Sequence, residues 1–281
     1  MLKVSDHKNF WDRHGHTVII YGFLFILMLF VSVFNKDFFT IGNFKNLLRS
    51  SFPLLMVGFG QTIIILTGGI DLSLGGIVAL CNVVCVMLMD TESYSGVIFS
   101  IIASLVIGLV CGAVNGGMVT KGKLAPIIVT IATTAIFDGT ALLLMPKPGG
   151  SVHRGFARFL TRGLGGAVPF ILFLIILFLV RDITNHRPFG KALRAIGGNE
   201  NAAYSTGIRV VKIKFFAYCT AGLLCAVAGI FLSAQMNSAD ATIGKNYAMN
   251  AITATVVGGT AMTGAVGDPF GTVAGVFIIS I

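Results

Sequence analysis

Apolar residues fall along this chain in long runs separated by short polar connections. The runs cover 17–34, 52–67, 70–89, 96–119, 126–145, 168–180, 215–235, 249–262 and 270–281. Most approach the length needed to cross a hydrocarbon core as a helix. None shows the two-residue alternation of a lipid-facing strand, which favours a helix bundle over an outer-membrane barrel. The pattern predicts an all-α, polytopic transmembrane helix bundle over 17–281, with about eight to nine spans. A polar tail, 1–16, precedes it, and the longest polar interruption is the connection 182–214. The last run reaches Ile281 with no polar residue after it, so the pattern expects its helix to continue.

Two of the runs are broken. "ILTGGIDLSLGGIVAL" carries Gly68, Gly69 and Asp71 in its middle, and "VVGGTAMTGAVGDPFGTVAG" repeats the layout late in the chain. Paired broken helices, one per half, occur in transporters; glycine-rich breaks are also common in membrane helices at large. A carboxylate at the bilayer centre costs roughly 2.5–3.5 kcal/mol on insertion scales. Asp71 is tolerable if the glycines break the helix, and two compatible readings follow. Asp71 or Ser73 caps the new helix, or Asp71 lines a polar pathway together with Gln61, Thr67 and Ser73. Asp138 is a second intramembrane acid whose role stays open. Asn82 and Asn115 read as makers of interhelical hydrogen bonds. Gly108, Gly112 and Gly116 form a small-residue ridge along one helix face, a packing signal within or between subunits.

Charge sharpens the picture. Only 11% of residues are charged, against about a quarter in a soluble domain, and mean hydropathy is +0.90. The net charge of +9 sits in the short polar connections, as in membrane proteins that orient by Lys and Arg. Nucleic-acid binding is therefore not supported. Lys3, Lys8 and Arg13 place the amino terminus in the cytoplasm; crossings then put Lys121, Lys123 and the connection 182–214 inside. Lys147, Arg154, Arg158 and Arg162 dissent, because the same count places them outside. The five cysteines lie in apolar runs and read as small buried hydrophobes; no metal-ligand pattern occurs, and no cleavable signal peptide is evident.

Within the connection, "GKALRAIG" and "NENAAYSTG" read as two short helices around a Gly-Gly pair, with Asn199 as a cap and Gly207 as a stop. Such an element suits docking of a partner protein; the plainer reading is a basic hairpin that satisfies the orientation rule. No phosphate-binding loop is present: Asn185 stands where the first glycine before Gly190-Lys191 would be needed. No catalytic motif appears, so the chain reads as a non-enzyme with no cofactor of its own.

Three segments together with a fourth resemble one family. "GQTIIILTGGIDLSLGGIVAL", "NGGMVTKGKLAPIIVTIATTAIFDGTALLL", "FGKALRAIGGNENAAYSTGI" and "YAMNAITATVVGGTAMTGAVGDPFGTVAG" occur in the order found in sugar-type ABC importer permeases, the ribose permease group of the branched-chain amino acid/ribose permease superfamily. The resemblance covers most of 43–281. It implies a membrane subunit working as a homo- or heterodimer in the bacterial inner membrane, with ATP on a cytoplasmic ABC ATPase and substrate from a periplasmic sugar-binding protein. It places Ala195, Gly197, Gly198, Asn199, Glu200 and Gly207 at the ATPase contact. It places Gln61, Thr67, Asp71 and Ser73 in or near the translocation path. The rival class is an ion-coupled secondary transporter using Asp71 or Asp138 as its coupling carboxylate.

Overall fold

The computed structural model describes residues 5–281, with side chains described continuously from Val18 onward. Eleven α-helices and one π-turn form an all-α bundle, and no strand ladder occurs among the described residues. The centre is α2 (Ile41–Ile65) and α9 (Val210–Met236). Every residue of α2 from Ser51 to Ile65 is buried, and its Phe52 stacks on Phe231 of α9 at 4.2 Å between ring centroids. Around this pair lie α3 (Leu74–Leu88), α4 (Tyr94–Thr120) and α6 (Arg154–Arg181); α5 (Pro126–Leu144) packs on α3. The short α10 (Tyr247–Val257) and α11 (Pro269–Ser280) pack on each other and on α2, and α1 (Ser5–Phe34) lies against α11.

The bundle is apolar on its outside as well as its inside. Phe25 and Ile26 of α1, Phe99 of α4 and Ile128 and Leu143 of α5 are all exposed, a surface that suits lipid rather than water. Among the described residues, five helical stretches are long and apolar enough to cross a membrane: Ile41–Ile65, Tyr94–Thr120, Pro126–Leu144, Arg154–His186 and Val210–Met236. Four shorter apolar helices accompany them. At 1.5 Å per residue, the 15 residues of α3 and 11 of α10 reach only part way across a core of about 30 Å. They fold as partial helices next to the two breaks.

Several boundaries differ from the hydropathy pattern. The tail 1–16 is helical from Ser5, and α2 starts at Ile41 instead of Phe52, its amino terminus capped by the Thr40 hydroxyl, which accepts from Asn43 N–H. Residues 146–166 contain a helix from Arg154; the chain leaves helical geometry only at Gly163–Gly166 before resuming. The connection 182–214 gives its last five residues to α9. Polar residues hid these helices from a reading based on apolarity.

The ridge of α4 packs against α9 of the same chain. A Cβ at Gly108 would lie 2.5 Å from Gly222 O, and one at Gly112 2.3 Å from Tyr218 O. One at Gly116 would lie 3.0 Å from Phe215 O. Helix α9 also fixes the two ends of the bundle. Its amino terminus leaves the hairpin 182–209, while its carboxyl end leads to Ala239, which pairs with Gly149. Residues 146–153 therefore lie at the end opposite the hairpin, and Lys123 lies at the hairpin end beside Glu200 and Lys214.

Candidate functional site

The first break begins where α2 ends. Gly68 turns the chain with φ +77°, a conformation that disfavours any residue with a Cβ. The carboxylate of Asp71 then accepts from the Ser73 N–H at 2.7 Å and from the Ser73 hydroxyl at 2.6 Å, just ahead of α3. Ser73 itself makes no side-chain cap; its Oγ accepts from Asn115 Nδ2 of α4 at 2.6 Å. Gln61, Asp71, Ser73 and Asn115 are all buried. Thr67 is satisfied locally, donating to Ile64 O at 2.7 Å. Several buried polar atoms around the break have no partner: both amide atoms of Gln61, Asn115 Oδ1 and the Tyr218 hydroxyl. The Tyr218 hydroxyl sits against Gly69, 3.2 Å from where a Cβ would stand. Leaving such groups unpaired costs about 1–3 kcal/mol each.

The second break follows α10. It runs from Gly258 to Asp268, and Asp268 caps α11 by accepting from Phe270 N–H at 2.8 Å. The two breaks touch, with Ala265 N–H donating to Leu66 O at 3.2 Å.

The hairpin closes over this contact. After the π-turn Asp182–His186, α7 (Pro188–Gly198) and α8 (Glu200–Ser205) fold as short helices. Asn199 caps α8 by accepting from Ala202 N–H at 3.0 Å, and Gly207 ends it with φ +85°. Gly197 is wedged between the breaks: a Cβ there would lie 2.1 Å from Leu66 O and 2.5 Å from Ala265 N. A Cβ at Gly264 would stand 2.9 Å from both Gly197 Cα and Gly68 N. A polar chain ties the hairpin to the second break as well. Arg194 donates to Asn185 Oδ1 at 2.6 Å and to Ala265 O at 3.3 Å, and Asn185 donates to Asp268 at 2.7 Å. Burial lowers the pKa of the Arg194 guanidinium, and the Asp268 charge opposes that shift. The Arg181 guanidinium lies 4.4 Å above the Phe270 ring. Ala195, Gly198, Asn199, Glu200 and Gly207 face outward, while Gly197 is half-buried.

The profile of the family described as branched-chain amino acid transport system / permease component matches residues 43–281. The chain belongs to this permease family. The permease is 41% identical over 263 residues to the ribose import permease protein RbsC of Bacillus subtilis, covering 91% of this chain and 80% of that one. It is 33% identical over 264 residues to the ribose import permease protein of Escherichia coli strain K12, covering 91% and 81%. To the D-allose transport system permease protein AlsC of Escherichia coli strain K12 it is 31% identical over 286 residues, covering 99% and 84%. No solved structure matches the chain.

The structure joins Asp71 and Ser73 directly and leaves Asp138 apart. Asp138 is half-buried on α5, with its Oδ1 beside Gly76 of α3, where a Cβ would come within 3.1 Å. Asn82 links helices, donating to Ser233 Oγ at 2.8 Å and accepting from Asp240 N–H at 3.0 Å. The hydropathy pattern gives no sign that Tyr218, Arg194 and Asp268 belong to the site, and Asn185 stands out only as a misfit to a phosphate loop. The Asp268-Pro269 pair carried a usable signal, an N-cap followed by proline at the first helical position. Tyr218 carried none, since its hydroxyl lies in an otherwise apolar helix.

Proposed function

We propose that this permease is the membrane subunit of an ATP-driven importer in the bacterial inner membrane. A periplasmic binding protein delivers a ribose-like monosaccharide, which passes between two permease copies, identical or paralogous. ATP is bound and hydrolysed on a separate cytoplasmic ATPase that seats on the hairpin. The single observation that carries this reading is the wedge of Gly197 between Leu66 and Ala265. A push on α7 from the ATPase side bears at once on both helix breaks, and also on α11 through Arg194, Asn185 and Asp268. Sliding the breaks apart would expose the buried polar groups of Gln61, Asp71, Ser73, Asn115 and Tyr218, and the unpartnered atoms of Gln61, Asn115 and Tyr218 suit weak, passing contacts with sugar hydroxyls. The ribose and allose named for the relatives support a monosaccharide substrate.

Substitutions at two positions test the reading. Tyr204 stands 74% exposed on α8, beside Asn199 and Glu200, and an exposed aromatic at a docking surface is a typical energetic anchor. Tyr204→Ala is expected to weaken capture of the ATPase by about 2 kcal/mol in a pull-down titration; unchanged capture would move the docking surface elsewhere. Asp71→Asn keeps an oxygen that accepts from Ser73, so uptake in reconstituted vesicles is expected to stay close to wild type. Asp71→Ala removes the acceptor and is expected to cost about 1 kcal/mol of stability. Loss of transport in Asp71→Asn with the fold retained would favour the ion-coupled carrier over the ATP-driven importer.

A further inference from the structure

The arginines that dissent from the orientation rule converge in the folded chain. Arg154, Arg158 and Arg162 recur every four residues on the first segment of α6, and Arg49 of α2 meets them across a cleft of about 480 Å³. Gln235 and Asn237 complete its wall. Among the described residues, no carboxylate pairs with any of the four arginines. The Nε of Arg49 and the Oε1 of Gln235 are buried without partners. Four clustered cations repel one another unless an anion sits among them, and guanidinium groups pair best with the planar oxygens of carboxylate or phosphate.

A second feature lies on the same two helices. Leu48, next to Arg49 on α2, lines an apolar groove of about 330 Å³ with Ile41, Phe44, Ala167 and Phe170. Lys45 crosses it, donating from Nζ to Gly165 O at 2.7 Å. The segment that carries the arginines also exposes Phe159 by 60% and Leu164 by 76%, as a helix lying in a membrane interface does.

We propose that the cleft binds the phosphate headgroup of an anionic phospholipid whose acyl chain lies along the groove. Charge complementarity selects the headgroup, and the apolar groove between the same two helices selects a lipid over a free anion. A zwitterionic lipid would bring its own cation into the arginine cluster and binds less well. Basic pockets between membrane helices take such headgroups elsewhere. The site accounts for four positive charges at the end opposite the hairpin, and it is independent of the ATPase.

The test is native mass spectrometry of the detergent-purified full chain, titrated with phosphatidylglycerol, phosphatidylcholine or inorganic phosphate. Phosphatidylglycerol is expected to stay bound where phosphatidylcholine is lost. The variant Arg158→Gln/Arg162→Gln is expected to bind phosphatidylglycerol about thirtyfold more weakly with unchanged helicity, from the usual contribution of each basic residue near a charged lipid surface. Should that variant fail to fold, Arg158→Gln alone carries the test, with about a fivefold loss. Equal retention of the two lipids, or displacement of phosphatidylglycerol by inorganic phosphate at equal concentration, would overturn the proposal. So would a variant that keeps its lipid and loses instead the docking of an acidic binding protein.

Discussion

On the proposed function, a leucine at position 197 is expected to cut coupled uptake sharply while the ATPase stays attached and continues to hydrolyse ATP. The reason is local geometry. A Cβ at Gly197 would stand 2.1 Å from Leu66 O and 2.5 Å from Ala265 N, both backbone atoms that no rotamer change can move. Overpacking of this kind costs about 1–3 kcal/mol, and the cheapest relief is to lift α7 off the two breaks. A loss of coupling free energy of that size corresponds to a fall of about 5–150-fold in transport per ATP. Parallel assays of uptake and hydrolysis in reconstituted vesicles measure the ratio. The neighbouring Gly198 meets only Ala265 Cβ, at 3.8 Å, so Gly198→Ala is expected to leave the ratio unchanged. The Gly-Gly pair therefore divides: the first glycine is the wedge and the second faces outward.

Gly112→Leu is expected to produce a large loss of stability. Helices α4 and α9 meet along the ridge of Gly108, Gly112 and Gly116, where Gly112 faces Tyr218 O and Cys219 Cα at 2.3 and 3.0 Å from a notional Cβ. A leucine there must push two long helices apart over several turns, with an expected cost of about 3 kcal/mol or more, at the top of the range for overpacking. Thermal unfolding of the purified protein reads it out. Gly117, one residue on, has nothing within 4 Å of a notional Cβ. Gly117→Ala is expected to be neutral or stabilising by up to about 1 kcal/mol, through helix propensity.

The contrast between those glycines shows what a sequence carries and what it does not. The ridge at 108, 112 and 116 follows from the 3.6-residue repeat, so its packing role was legible, but its partner helix was not. The nine apolar runs correspond to nine apolar helices, because burial of backbone polar groups in lipid leaves helices as the only economical form. The partial helices α3 and α10 were blurred, because hydropathy does not register the glycine turns at Gly68, ahead of α3, and at Gly258-Gly259, after α10. The pair of broken segments was visible as an echo in composition. That they meet, with Ala265 donating to Leu66 and Gly197 between them, depends on long-range packing. The same holds for Arg194, Asn185 and Asp268, joined by two hydrogen bonds of 2.6 and 2.7 Å whose partners lie 9 and 83 residues apart.

The proposed function makes the permease a passive gate driven through its hairpin by a separate motor. The most direct measurement is uptake of labelled ribose into vesicles holding the purified permease alone, and then with its ATPase, its binding protein and ATP. The account predicts no uptake above leak for the permease alone under any ion gradient, and accumulation only when ATPase, binding protein and ATP are all present. Accumulation by the permease alone, driven by a proton or sodium gradient, would contradict it.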